Sequence, residues 1–181
     1  KMTPSDWYVQ IMNELDDELN RKGIDTRIVF ACYVDTLFAP QKLTIQNPKR
    51  CSLLYAPITR SYSSSVNENT VFPEPKPFIL NGWEVPKTTE ESLSYLLDWQ
   101  KVFPGCCFSY EYHFWRHQFQ DPGSITLARR IYQDIRGLKY MNLNGIVEDG
   151  SQRSFFPNGF AIYIYAEALM NRDCNFEEVR D

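Results

Sequence analysis

The sequence predicts an α/β fold of parallel (β/α) units that form roughly half of a TIM-like (β/α)8 barrel. Helix-like and strand-like segments alternate along the chain in the order α-β-β-α-β-α-β-α. Strands such as 27–34 are apolar on both faces, which is typical of parallel sheets covered by helices. The alternative, an open doubly wound sheet, usually has a glycine-rich first turn, and this chain has none. We therefore interpret residues 1–181 as a single domain or fragment, the carboxyl-terminal half of such a barrel.

The first half of the chain contains one helix, two strands and a long loop. Pro4-Ser5-Asp6 opens the helix and Lys22-Gly23 closes it. Helical spacing predicts an inward face made of Tyr8, Ile11, Met12, Leu15 and Leu19, and a solvated face that carries Glu14, Asp16, Asp17 and Glu18. Strands are predicted at 27–34 and 52–56. The polar, proline-rich segment 61–86 is predicted to be a long loop, and loops of this length are usually functional or disordered.

The second half alternates regularly. Thr88 or Thr89 caps a helix that continues through 103, and a third strand lies within 105–115. Asp121-Pro122-Gly123-Ser124 starts another helix, whose inward residues are Ile125, Ala128, Ile131, Tyr132 and Ile135. A fourth strand at 144–147 leads into Glu148-Asp149-Gly150. The last long helix is predicted at 159–170, and Asn175 caps one more.

The third strand has two faces of different character. Because side chains alternate along a strand, the aromatic rings of Phe108, Tyr110, Tyr112 and Phe114 share one face. The other face carries Ser109, Glu111 and His113. A hydroxyl, a carboxylate and an imidazole on one face are suited to the inside of a barrel or the floor of a cleft. The pattern therefore predicts that this polar face lines a ligand site.

Most of the polar residues that could take part in catalysis or ligand binding lie at the ends of the predicted strands. In a (β/α)8 barrel the loops at these ends form the active site, and glycoside cleavage needs an acid and a second carboxylate. The candidate catalytic residues are Glu111, Asp35 and Glu148. The candidate substrate-binding residues are Tyr33, Arg60, Tyr110, His113, Trp115, Asp149 and Arg153. Arginine would bind hydroxyls or a uronic carboxylate, and the aromatic rings would stack on sugar.

Each carboxylate also has a structural interpretation. Glu111 could be a buried group paired with Arg60 or Arg116, with His113 as its hydrogen-bonded neighbour. Asp35 could cap the turn that follows its strand. Glu148 and Asp149 could form an ordinary acidic turn. The catalytic interpretation therefore depends on the location that these residues share.

Composition narrows the class of protein. The formal net charge is −4 and no basic run occurs, which argues against a nucleic-acid partner. No apolar run is long enough for a membrane span, and no signal peptide precedes the first helix. The cysteines are odd in number and lack the spacing of a zinc site, so we predict reduced, buried thiols and no metal. Phosphate-loop and dinucleotide-binding motifs are absent, so we predict no cofactor. Unpaired cysteines favour a cytoplasmic location.

Several stretches resemble a bacterial family of large proteins known as domain of unknown function 4838. They are Asp6-Trp7-Tyr8-Val9 with Asn13-Glu14-Leu15-Asp16, Ile28 to Asp35, Tyr55 to Arg60, Tyr110-Glu111-Tyr112-His113 and Gln152 to Gly159. The resemblance implies the carboxyl-terminal half of a glycoside-hydrolase-like (β/α)8 barrel. It implies no substrate. Glu111 lies within one of the most specific stretches, whereas Glu148 lies outside them.

The leading hypothesis is a glycoside hydrolase that cleaves a poly- or oligosaccharide with a carboxylate pair. The alternative is a carbohydrate-binding barrel without catalysis, and a third possibility is a purely structural half-barrel. Carboxyl separations of about 5–5.5 Å or about 6.5–9.5 Å would indicate retention or inversion. Half a barrel leaves two strand edges unpaired, so we expect the amino-terminal half of the barrel, or a second copy in a homodimer, as the protein partner.

Overall fold

The computed structural model describes residues 1–82, 84–117, 120–150 and 159–181. Its helices and strands follow the predicted order. They are α1 (Pro4–Arg21), β1 (Ile28–Cys32), β2 (Cys51–Tyr55), α2 (Thr89–Val102), β3 (Cys106–Glu111), α3 (Ile125–Gly137), β4 (Ile146–Glu148), α4 (Gly159–Met170) and α5 (Phe176–Arg180). Among these described helices, none is both long and apolar enough to cross a membrane.

The four strands form one parallel sheet in the order β1-β2-β3-β4. Cys32 aligns with Tyr55, Tyr55 with Ser109, and Ser109 with Ile146. All four carboxyl ends therefore meet at one edge, which confirms the predicted α/β fold with parallel β/α units.

One face of the sheet is covered by helices. Its side chains include Phe30, Leu53 and Cys107, which are buried in the main core with residues of α1 and α2. The ring of Phe103 meets that of Phe30 edge-on at 4.9 Å. The opposite face is more open, since Val29 and Val147 are both exposed there. We call these the helix-covered face and the open face.

Helix α1 turns inward only part of the face that the spacing predicts, since Met12 is buried and Tyr8 and Leu19 pack against the main core. Ile11 and Leu15 are 59% and 44% exposed, whereas Asp6 and Asp16 are buried. Asp6 accepts hydrogen bonds from the backbone amides of 41, 42 and 43, and Asp16 pairs with Arg50 at 2.6 Å. Because each of these buried carboxylates is hydrogen-bonded or ion-paired, its burial carries little penalty.

The observed ends of some helices and strands differ from the predicted ends by a few residues. Strand β1 ends at Cys32 because the side chain of Thr36 donates to the carbonyl of Ala31 and accepts from the amide of Tyr33, which starts a 3-10 turn. Asn175 caps α5 as predicted, and of the two candidates for α2 it is Thr88 that caps the helix. All five cysteines are free thiols, and Cys106 is exposed although its place in a strand predicted burial.

Candidate functional site

The predicted site residues separate into two groups at the carboxyl-terminal edge of the sheet. Glu111, Arg60, His113 and Glu148 lie on the helix-covered side, beside α3. Tyr33, Tyr110, Trp115 and Asp149 lie towards the open side. Strand alternation places Glu111 and Tyr110 of β3 on opposite sides, and contacts between the loops that follow the strands bring the other residues to them.

Glu111 ends β3 and is only 3% exposed. Its Oε2 accepts a hydrogen bond from Arg60 Nη1 at 3.2 Å and another from the Tyr62 hydroxyl at 2.8 Å. Its Oε1 accepts from the Ser109 hydroxyl. Both carboxylate oxygens are therefore occupied, and the ion pair with Arg60 corresponds to the structural interpretation of this residue.

The remaining charges continue from Arg60 as a chain. Arg60 Nη2 lies 2.5 Å from Asp134 Oδ2 on α3, and the same oxygen lies 2.8 Å from His113 Nε2. The other ring nitrogen, His113 Nδ1, lies 2.6 Å from Glu148 Oε1. All of these side chains are at most 5% exposed. We call Arg60, Glu111, His113, Asp134 and Glu148 the buried charge network.

The electrostatics of the network follow from this geometry. Burial alone would lower the pKa of His113, but the carboxylates of Glu148 and Asp134 raise it to about 10. His113 is thus a doubly protonated imidazolium that donates to both carboxylates. Burial would raise the pKa of Asp134, but Arg60 and His113 hold it below its ordinary value. Each close contact is therefore between opposite charges.

Glu148 is the least satisfied member. Burial raises its pKa, and the nearby carboxylates of Glu111 and Asp134 add to the shift against the opposing effect of His113. Its Oε2 has no hydrogen-bond partner within the described residues, and neither has Arg60 Nε. With three carboxylates and two cations, the network carries excess negative charge, and protonation of Glu148 would relieve it.

The polar face of β3, which the sequence pattern predicts to line a ligand site, lies on the helix-covered side of the sheet. Ser109 and Glu111 point to the helix-covered side, where Asp134 of α3 completes the network. The alternation correctly separates the two faces of the strand. It contains no information about which face the helices cover, because that depends on the crossovers between strands.

The open side of the edge carries aromatic rings instead. The rings of Tyr110 and Tyr112 are 5.3 Å apart, and those of Tyr112 and Trp115 are 5.9 Å apart. Burial raises the pKa of the Tyr112 hydroxyl, and the neighbouring Tyr33 hydroxyl contributes to the rise. Tyr33 and Trp115 are each 39% exposed. We call Tyr33, Tyr110, Tyr112 and Trp115 the aromatic rim.

One carboxylate accompanies the aromatic rim. The Tyr110 hydroxyl donates to Asp149 Oδ1 at 3.0 Å. Asp35 lies in an exposed 3-10 turn after β1, and Arg116 stacks on Trp115 at 4.5 Å instead of pairing with Glu111. The predicted Arg153 falls outside the described residues. Among the described residues, no group of His, Cys, Asp and Glu side chains is arranged to hold a metal ion.

Sequence reasoning missed Asp134, which joins Arg60 to His113. It lies three residues after Ile131 and one before Ile135, so helical spacing places it on the inward face of α3. A carboxylate at an apolar position of a helix is a detectable signal. Its partners, however, lie 74 and 21 residues away, and only the fold identifies them.

Comparison of the chain with known protein families, with curated proteins and with solved structures gives no match.

Proposed function

We propose that this chain is half of a (β/α)8 barrel whose open face is the barrel interior. The strand order is consecutive, α1 and α2 pack on one face of the sheet, and Asp134 of α3 bonds to Arg60 at the carboxyl-terminal edge of that face. A doubly wound sheet would carry helices on both faces. The other half, an amino-terminal segment or a second copy, would then cover the open face, including Val29 and Val147.

We propose further that the aromatic rim binds carbohydrate. In such a barrel the carboxyl ends of the strands form the ligand site, and this is where the rim lies. Aromatic faces stack on the C–H groups of sugar rings, and a carboxylate such as Asp149 accepts hydrogen bonds from sugar hydroxyls. The observation that carries the proposal is the contiguous row of Tyr110, Tyr112 and Trp115 with exposed rings at its margins.

Replacing Trp115 with alanine tests the binding proposal. Loss of one stacking ring should weaken binding of an oligosaccharide roughly tenfold, as measured by titration calorimetry against a panel of plant and host glycans. Trp7 is an exposed tryptophan on α1, so Trp7→Ala is a matched control that should leave affinity unchanged. Equal affinity of Trp115→Ala and the parent for every glycan that binds would refute the role of the rim.

Hydrolysis of a glycosidic bond is the second candidate function, and the observation that favours it is the position of the Asp149 carboxylate. This carboxylate lies beside the aromatic rim, whereas Glu111 and Glu148 are buried and form ion pairs within the buried charge network. A hydrolase would draw its second carboxylate from Asp35 or from the other half of the barrel.

Asp149→Asn tests this candidate in the assembled barrel. If Asp149 is the acid or the nucleophile, turnover of the cleaved glycan should fall by at least about 100-fold while binding persists. Asp173→Asn, which changes an exposed carboxylate in the segment after α4, is the control for charge. Turnover within a few-fold of the parent would leave binding as the function of the rim.

A further inference from the structure

A second cleft lies away from the aromatic rim, between the segment 63–68 and helix α3. It has a volume of about 490 Å³, which lies within the range of small-molecule sites. Three cationic side chains line it, those of Arg130, Arg136 and Lys139, against one acidic side chain, that of Glu68. The cleft is therefore positively charged in a protein whose formal net charge is −4.

The two arginines are held in place by neutral groups. Arg130 donates to the carbonyl of Ser63 at 2.6 Å and to the hydroxyl of Ser65 at 3.0 Å. Arg136 donates to the carbonyls of Asn171 and Cys174 at 3.1 and 2.9 Å. Within the described part of the chain neither forms an ion pair, nor does Lys139. Their positive charges are fixed in direction but are not neutralised by a carboxylate.

The wall opposite α3 is also fixed. Gly137 ends α3, and a Cβ atom there would lie 2.9 Å from the carbonyl oxygen of Val66, so the segment approaches the helix as closely as a glycine permits. The Tyr140 hydroxyl donates to Glu68 at 3.0 Å, which holds the one acidic side chain of the cleft against its wall. An anion would therefore meet a preorganised site.

The position of Arg130 is not explained by helix stability. Cations are favoured in the last turn of a helix, where Arg136 lies, but Arg130 is in the middle of α3. Arg130 also borders a neighbouring cavity of about 350 Å³. This cavity shares Ser63 and Arg130 with the cleft and adds the hydroxyls of Ser61 and Thr126. The cationic centre is thus flanked by hydroxyl groups that can donate to and accept from a hydroxylated ligand.

We propose that this cleft binds a small hydroxylated oxyanion, with its charged group on Arg130 and Arg136 and its hydroxyls on the serine segment. A sugar acid and a sugar phosphate share this chemistry, and arginine suits both because its planar fork matches carboxylate and phosphate oxygens. The proposal stands on residues distinct from the aromatic rim, so it is independent of the function proposed for that site.

Titration calorimetry on the whole chain tests the proposal with galacturonate, glucose 6-phosphate and neutral galactose as probes. We expect at least one acidic probe to bind with a Kd below about 10 mM, more tightly than galactose, and its affinity to fall as salt is raised. Preference for galacturonate would assign a sugar acid, and preference for the phosphate would assign a sugar phosphate. Failure of both acidic probes to bind would overturn the proposal.

Substitutions locate the site. Arg130→Gln and Lys139→Gln should each weaken the acidic probe, Arg130→Gln by about tenfold because it removes charge-assisted hydrogen bonds. Lys139 is exposed, so its variant gives a second measurement should Arg130→Gln unfold. Arg129→Gln is the matched control, since it removes the same charge from the neighbouring position on α3, where Arg129 pairs with Glu177. An equal loss in this control would show non-specific attraction and refute the site.

Discussion

Replacing Arg60 with methionine should lower the free energy of unfolding by about 3–5 kcal/mol, the range expected when one partner of a buried ion pair is removed. Arg60 is the cation between Glu111 and Asp134, and all three side chains are at most 5% exposed. Methionine fills similar space but leaves two carboxylates buried close to each other. Urea unfolding at pH 7, followed by circular dichroism, measures the effect.

Two further variants serve as controls for this measurement. Arg21→Met removes an exposed ion pair with Glu18 and should change the free energy of unfolding by less than about 1 kcal/mol. Glu111→Gln in the Arg60→Met background should restore part of the lost stability, because it removes one of the uncompensated charges. If Arg60→Met and Arg21→Met lower the free energy of unfolding equally, the buried charge network stabilises the fold no more than an exposed ion pair does.

The second large effect concerns His113 and pH. The folded-state pKa of His113 is about 10, above its ordinary value of 6.5. A group whose pKa is raised on folding binds protons more tightly in the folded state. Its contribution to stability is therefore complete below pH 6.5 and is lost as the pH rises towards 10. His113→Asn should cost about 3–5 kcal/mol at pH 6 and clearly less at pH 9.

The measurement is the free energy of unfolding of parent and variant between pH 6 and pH 9. The comparison must be between the two proteins, because buried thiols such as Cys107, whose pKa burial raises, also reduce stability at alkaline pH in both. His117→Asn is the matched control, since burial lowers the pKa of His117 and its contribution does not change above pH 6.5 in that way. A parallel pH dependence in parent and His113→Asn would show that His113 is not charged in the fold.

These two expectations also bear on how the carboxylates are used. A catalytic acid or nucleophile must reach a substrate, whereas Glu111 is surrounded by Arg60, Tyr62 and Ser109. The network fastens β3, β4, α3 and the loop after β2 to one another through charged hydrogen bonds. We therefore assign it to holding the carboxyl-terminal edge of the sheet in place. The aromatic rim, which we propose binds a ligand, lies at the same edge.

The order of the elements could be determined from the sequence because it depends on local chemistry. The cap at Thr88, the cap at Asn175 and the apolar runs of the strands each act within a few residues. The sequence likewise grouped Glu111 with Arg60 and His113 near the strand ends, since parallel strands share one edge.

Only the tertiary structure decided how that edge is used. A period of two gives β3 an aromatic face and a polar face, and either could have met the helices. The inward turn of Asp16 towards Arg50 and of Asp134 towards Arg60 depends on partners more than 30 residues away in sequence, which no local pattern encodes. Burying a carboxylate is tolerated only where the fold supplies its cation, so the fold decided which candidates became structural and which stayed at the surface.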